Sequence, residues 1–188
     1  MLKNNKHILF FLSFITLFLL TGKDSVCQKK LYSIGFNAGL CSFESMSISV
    51  SGVQFGLFYE FPAWFTRAFN FQASLFYLRK TEYFLPEDSE GKYYPYFYGG
   101  TFTGIMRQII KQDFFVEEQA GILVMKNKFF SDADETNYGV SFGLAGGLDL
   151  RNDSLNGFLL SIGYKGGITF NASTPSLNSF FIQSQYFF

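Results

Sequence analysis

The last eleven residues of the chain, Asn178 to Phe188, alternate without a break. Phe188, Tyr186, Ser184, Ile182 and Phe180 fall on one face, and Phe187, Gln185, Gln183 and Phe181 on the other. A period of two belongs to a β-strand. Its length matches the roughly 9–11 residues that a tilted strand needs to cross a hydrocarbon core. Such a strand cannot stand alone, because each unpaired backbone group in hydrocarbon costs several kcal/mol. The sheet that contains it must close, so other segments of the same kind must precede it.

Seven do. The first runs from about Leu31 to Cys41 and sets Tyr32, Ile34, Phe36, Ala38 and Leu40 against Ser33, Gly35, Asn37, Gly39 and Cys41. Ser42 to Ser51 is expected as a polar loop. The second strand spans about Gly52 to Phe61, with Leu57 and Tyr59 opposite Phe58 and Glu60, and Pro62 ends it. The third, Phe69 to Leu78, sets Phe71, Ala73 and Leu75 against Gln72, Ser74 and Phe76. In the fourth, Tyr96 to Ile109, Gly99-Gly100 blurs the phase; Thr101, Thr103, Ile105 and Arg107 are placed inward. The fifth, Phe114 to Met125, turns Glu117, Gln119 and Gly121 inward, with Glu118 facing out near an interface. The sixth and seventh, about Tyr138 to Leu150 and Gly157 to Phe170, oppose apolar residues to Gly, Ser, Ala, Asp149 and Lys165. Eight strands predict an all-β, antiparallel, up-and-down transmembrane barrel. The connections read as alternately long and short, as an outer-membrane barrel with both termini in the periplasm requires.

Composition decides which face points out. With 27 Phe and 11 Tyr, the greasy face holds more bulk than the bore of an eight-stranded barrel can contain. A soluble barrel of the lipocalin type would need that face inside. The opposite face is mainly small and polar, with too few charges for a water-facing surface: charged residues are 16% of the chain, against about 25% in soluble domains.

The N-terminus reads as a signal peptide, residues 1–27. Lys3 and Lys6 precede the apolar run Ile8–Leu20, broken only by Ser13 and Thr16. That run is too short to span a core of about 30 Å as a helix. Ser25-Val26-Cys27 supplies small residues for cleavage after Cys27, leaving 28–188 as one barrel domain. An uncleaved anchor and a lipidated Cys27 are the alternatives; Asp24-Ser25-Val26 is a poor approach to a lipidated Cys. Cleavage removes Lys3, Lys6, Lys23 and Asp24, leaving 12 basic and 14 acidic residues of the original 15 and 15. Nothing in that balance attracts nucleic acid. It also removes His7, the only histidine, and leaves Cys41 as the only cysteine.

The eight strands, the signal peptide, the segment Asn70-Phe-Gln-Ala-Ser-Leu-Phe-Tyr-Leu-Arg-Lys80 and the terminal Tyr186-Phe-Phe188 together resemble the small outer-membrane barrels common in Bacteroidetes. That family is described as PorT-like, with an architecture similar to OmpX and the barrel of OmpA. A strand ending on Phe also resembles the signal by which such proteins are handed to the barrel assembly machinery; Phe180, Ile182, Tyr186 and Phe188 would carry it here. The resemblance implies the lipid bilayer of the outer membrane as environment. It leaves open a structural, adhesive or secretion-linked role.

Chemistry is sparse. Without histidine the mature chain lacks the usual general base and the commonest metal ligand, which leaves a Ser–Lys or carboxylate-only site as the one enzymatic route. No catalytic residue, metal or cofactor is assigned. Five inward charges, Glu60, Arg107, Glu117, Asp149 and Lys165, should pair with one another, since an unpaired buried charge is costly. They read as a plug of ion pairs, or alternatively as the lining of a narrow pore. Asp132-Ala-Asp134-Glu135 is a solvated loop rather than a Ca²⁺ loop, lacking the Gly and distal Glu. Trp64 and Phe65 at one end, and Tyr93 and Tyr94 at the other, are candidate interfacial aromatics. The reading is a non-enzymatic barrel with a structural or interaction role, its protein partner unidentified.

Overall fold

A computed structural model describes residues 32–45, 48–66, 69–84, 96–111, 113–128, 135–151, 156–170 and 176–188. The signal segment 1–27, Tyr93, Tyr94, Asp132 and Asp134 lie outside the described residues. Eight strands follow in order: β1 (Ser33–Ser45), β2 (Ile48–Pro62), β3 (Asn70–Lys80), β4 (Tyr96–Lys111), β5 (Phe114–Lys128), β6 (Glu135–Asp149), β7 (Gly157–Thr169) and β8 (Ser176–Phe187). A single turn of 3₁₀ helix, Thr81–Phe84, follows β3. Each strand pairs antiparallel with the next, and β8 pairs with β1, so the sheet closes into a barrel. Closure removes both sheet edges. β8 therefore serves two partners along its length, Phe180 meeting Leu40 of β1 on one side and Tyr164 of β7 on the other.

The stretch Ser42–Ser51, expected as a loop, is instead mostly strand. Phe43 and Val50 are register partners and both are buried inward, while Ser42, Glu44, Ser49 and Ser51 take the outward positions. Period two was present there, but with polar residues on the outside. The hairpin joins across residues 46–47, and residues 112–113 join β4 to β5. The other connections are 63–69, 81–95, 129–134, 150–156 and 170–175. The expected alternation of long and short connections is therefore absent, and only 81–95 stands out. The two ends are distinguished instead by the chain termini, giving a terminal end and a far end.

Outward positions form an apolar belt. Ile34, Leu40, Leu57, Leu75, Ile122, Ile162, Phe180 and Ile182 are each more than half exposed. Thr101, Thr103, Ile105 and Arg107 point inward and are buried, as placed from sequence. The two glycines that blurred β4 sit in register with Phe76 and Leu75.

Inside, large side chains lie over glycines. Phe58 fills the space above its register partner Gly35, and Phe181 lies over Gly163. A Cβ on Gly35 would lie 2.1 Å from Phe58 Cζ, far inside contact distance. Gly35→Val should therefore destabilise the barrel by about 1–3 kcal/mol, the usual range for overpacking. At Gly146 the nearest atom to an added Cβ is 3.7 Å away, so Gly146→Ala should be near neutral. Denaturant unfolding of the two variants in detergent checks the contrast.

Candidate functional site: the filled lumen

The inward side chains form four layers. At the far end Phe43, Leu78, Phe97 and Met125 are fully buried in a cluster with Cys41, Phe76, Leu123 and Leu177. The rings of Phe43 and Phe97 stack at 4.2 Å. Below them lies a hydroxyl layer, where Lys165 Nζ donates to Thr101 Oγ1 at 2.9 Å and Ser74 Oγ lies 2.5 Å from the same oxygen. Gln54 and Ser141 complete a cavity of ≈ 10 Å³ beside Lys165, enough for about one water. Gln54 Oε1, Ser141 Oγ and Ser179 Oγ find no protein partner among the described residues.

The third layer is an ion-pair cluster. Arg107 Nε donates to Glu117 Oε2 at 2.9 Å, and its Nη2 reaches the same oxygen. The other edge of the guanidinium faces Glu60, with Nη1 to Oε1 at 3.3 Å and Nη2 to Oε2 at 3.1 Å. Glu60 also accepts from Asn70 Nδ2 at 2.5 Å and from Gln185 Nε2. Gln119 Nε2 donates to Glu117 Oε1 at 2.6 Å, and Gln185 Nε2 to Ser33 Oγ at 2.6 Å. Glu60 and Glu117 are 0% exposed and Arg107 is 4%. A bidentate fork in low dielectric is where guanidinium outperforms ammonium. The fourth layer, Phe115, Leu159 and Phe187, closes the terminal end. The Arg107 guanidinium lies 5.4 Å from the Phe115 ring and 5.5 Å from that of Phe187.

Of the five charges assigned to one network, the structure brings together three: Glu60, Arg107 and Glu117. Asp149 ends β6 and is held by Arg151 two residues on, whose Nε donates to it at 2.7 Å. The short local loop competes successfully with a partner across the bore. Lys165 sits between Gly143 and Ser179 in register and donates to Thr101, with Glu117 near enough to attract it but not hydrogen-bonded to it among the described residues. Asn70, Gln119 and Gln185 donate to the carboxylates and Ser33 accepts from Gln185, partners that the sequence pattern does not reveal. Register supplies the missing signal, since Ser33 is the partner of Glu60.

Glu118 does face outward, but not to an accessible interface as expected. It lies between Met106 and Leu144 in register, is 5% exposed, and its Oε2 has no partner among the described residues. At the terminal end Trp64 and Phe65 are exposed and form an aromatic patch with Phe71 and Phe102, Trp64 lying 5.8 Å from Phe71 and Phe71 5.4 Å from Phe102. Phe180, Ile182, Tyr186 and Phe188 all lie on the outward face, and the Phe188 N–H donates to Tyr32 O at 3.0 Å.

No family model matches the sequence, and no curated protein matches it. Solved structures do. Neisserial surface protein A superposes with a TM-score of 0.62 at 9% identity, covering 82% of this chain and 95% of that one. Ail, the attachment invasion locus protein of Yersinia pestis, gives 0.56 at 12% identity, covering 86% of this chain and 100% of the other. At such identities the likeness is one of fold: a small eight-stranded antiparallel barrel.

Proposed function

We propose that this chain is an integral outer-membrane barrel with a filled, non-conducting lumen, working through its surfaces rather than through a pore or an active site. The observation that carries the reading is the layering of the bore. A polar interior is bounded at one end by Phe43, Leu78, Phe97 and Met125, and at the other by Phe115, Leu159 and Phe187. The Arg107 cluster lies inside that seal and braces strands β2, β4, β5 and β8 together. Its donors and acceptors are directed at one another, which suits a brace better than a site for substrate. The outward apolar belt and the aromatic patch at Trp64 and Phe65 suit a bilayer and its interface.

On this reading residues 1–27 are removed on export and 28–188 insert through the barrel assembly machinery. The terminal end then faces the periplasm and the far end the exterior. The PorT-like resemblance and the name of Ail both favour contact with another surface or protein as the role of the far end of the barrel. Planar-bilayer recording of the refolded barrel tests the seal. Heat-modifiable protein that adds no ohmic steps is the expected result; steps that vanish in a Phe97→Trp variant would favour a pore.

A further inference from the structure

The outward belt is not evenly covered. Across β2 to β5, at mid-height, it opens into an apolar groove of ≈ 450 Å³. Ala73 and Gly100 form its floor, and Leu57, Leu75, Phe102 and Ile122 stand around it. The cause is in the sequence: Ala73 and Gly100 take outward positions on neighbouring strands, one register row apart, and Leu57, Leu75, Phe102 and Ile122 surround the space they leave.

The groove has a polar head. In register, Leu75, Gly100 and Val124 make one outward row across β3, β4 and β5. The next row toward the far end is Tyr77, Tyr98 and Lys126, and the row above that pairs Arg79 with Tyr96. At a rise of about 3.3 Å per residue, Lys126 stands ~7 Å and Arg79 ~13 Å along the strands from the groove floor. Arg79 is braced by aromatics: Nη1 donates to the Tyr77 hydroxyl at 3.2 Å, and the guanidinium lies 3.2 Å from the centre of the Tyr83 ring. Its Nε has no hydrogen-bond partner among the described residues. Neither Arg79 nor Lys126 is paired with a carboxylate among the described residues. Two cations set among tyrosines, with no carboxylate partner among the described residues and directly above an apolar trough, have the charge and shape of an amphiphile's complement.

We propose that this surface holds one phosphate-bearing lipid of the surrounding bilayer, its acyl chain along the Ala73–Gly100 trough and its phosphate between Arg79 and Lys126. The guanidinium offers a fork to phosphate oxygens, the ammonium a second charge, and the tyrosine hydroxyls sit at headgroup depth. The proposal rests on the reading that the belt faces a bilayer.

The test uses the mature barrel in maltoside micelles, titrated with phosphatidic acid or with diacylglycerol of the same chains, and read by native mass spectrometry. Wild type should retain one equivalent of phosphatidic acid at least tenfold more tightly than diacylglycerol. Arg79→Gln with Lys126→Gln should erase that preference. Ala73→Leu, which fills the trough and leaves both cations, should weaken retention of both lipids. Equal retention of the two lipids, or variants that behave as wild type, would mean that only unselective annular lipid covers this face and would overturn the proposal. A chain that forms no heat-modifiable barrel in micelles would instead defeat the membrane reading itself.

Discussion

Arg107→Met should lower the unfolding free energy of the barrel by about 3–5 kcal/mol, the cost of removing one partner from a buried ionic group. The side chain removed is similar in length, so little of the loss is cavity. What remains is Glu60 and Glu117, both 0% exposed, facing each other with only neutral donors from Asn70, Gln119 and Gln185. Arg107→Lys should lose less, because a charge stays but cannot serve both carboxylates through a fork. Combining Arg107→Met with Glu60→Gln and Glu117→Gln should recover most of the deficit, since replacing a whole buried ionic group by neutral side chains is often nearly neutral in stability. Guanidinium unfolding in detergent, followed by tryptophan emission and by heat-dependent mobility, reads all three. A triple variant no more stable than Arg107→Met would show that the guanidinium matters for its packing against Phe115 and Phe187 rather than for its charge.

That cluster also shows where sequence reading stops. The barrel was legible because backbone satisfaction in hydrocarbon admits few architectures, and period two fixes which residues face inward. Inward parity alone put Glu60, Arg107, Glu117, Asp149 and Lys165 in one set. Which of them meet depends on how far each strand slides past the next, and that is a property of the closed sheet. Asp149 and Arg151 are close in sequence, yet inward parity assigns Asp149 to the bore and says nothing of a residue just beyond the end of the strand. The first hairpin departs from its expected loop for a related reason. Serine-rich sequence resembles loop, but Phe43 and Val50 kept the alternation going through it. The groove was illegible too, since a small outward residue signals nothing until its neighbours across two strands are known.

Deleting Tyr186 to Phe188 should reduce heat-modifiable barrel in the membrane fraction by at least tenfold. Two causes lie in the same three residues, and they face opposite ways. Phe187 points inward, 2% exposed, and completes the terminal layer with Phe115 and Leu159. Its backbone lies between Ser33 of β1 and Gly157 of β7, so the deletion also shortens the seam that closes the sheet. Tyr186 and Phe188 point outward, Tyr186 against Phe158 at a ring distance of 5.0 Å and Phe188 half exposed. Refolding into detergent needs no assembly machinery, and so separates the two. Phe187→Ala should cost about 3–5 kcal/mol in vitro, as for a large core truncation. Phe188→Ala should cost well under that in detergent while cutting accumulation in the membrane sharply, if the outward face of β8 is what the machinery reads. Normal accumulation of Phe188→Ala, with loss confined to Phe187→Ala, would leave closure of the sheet as the whole effect of the deletion.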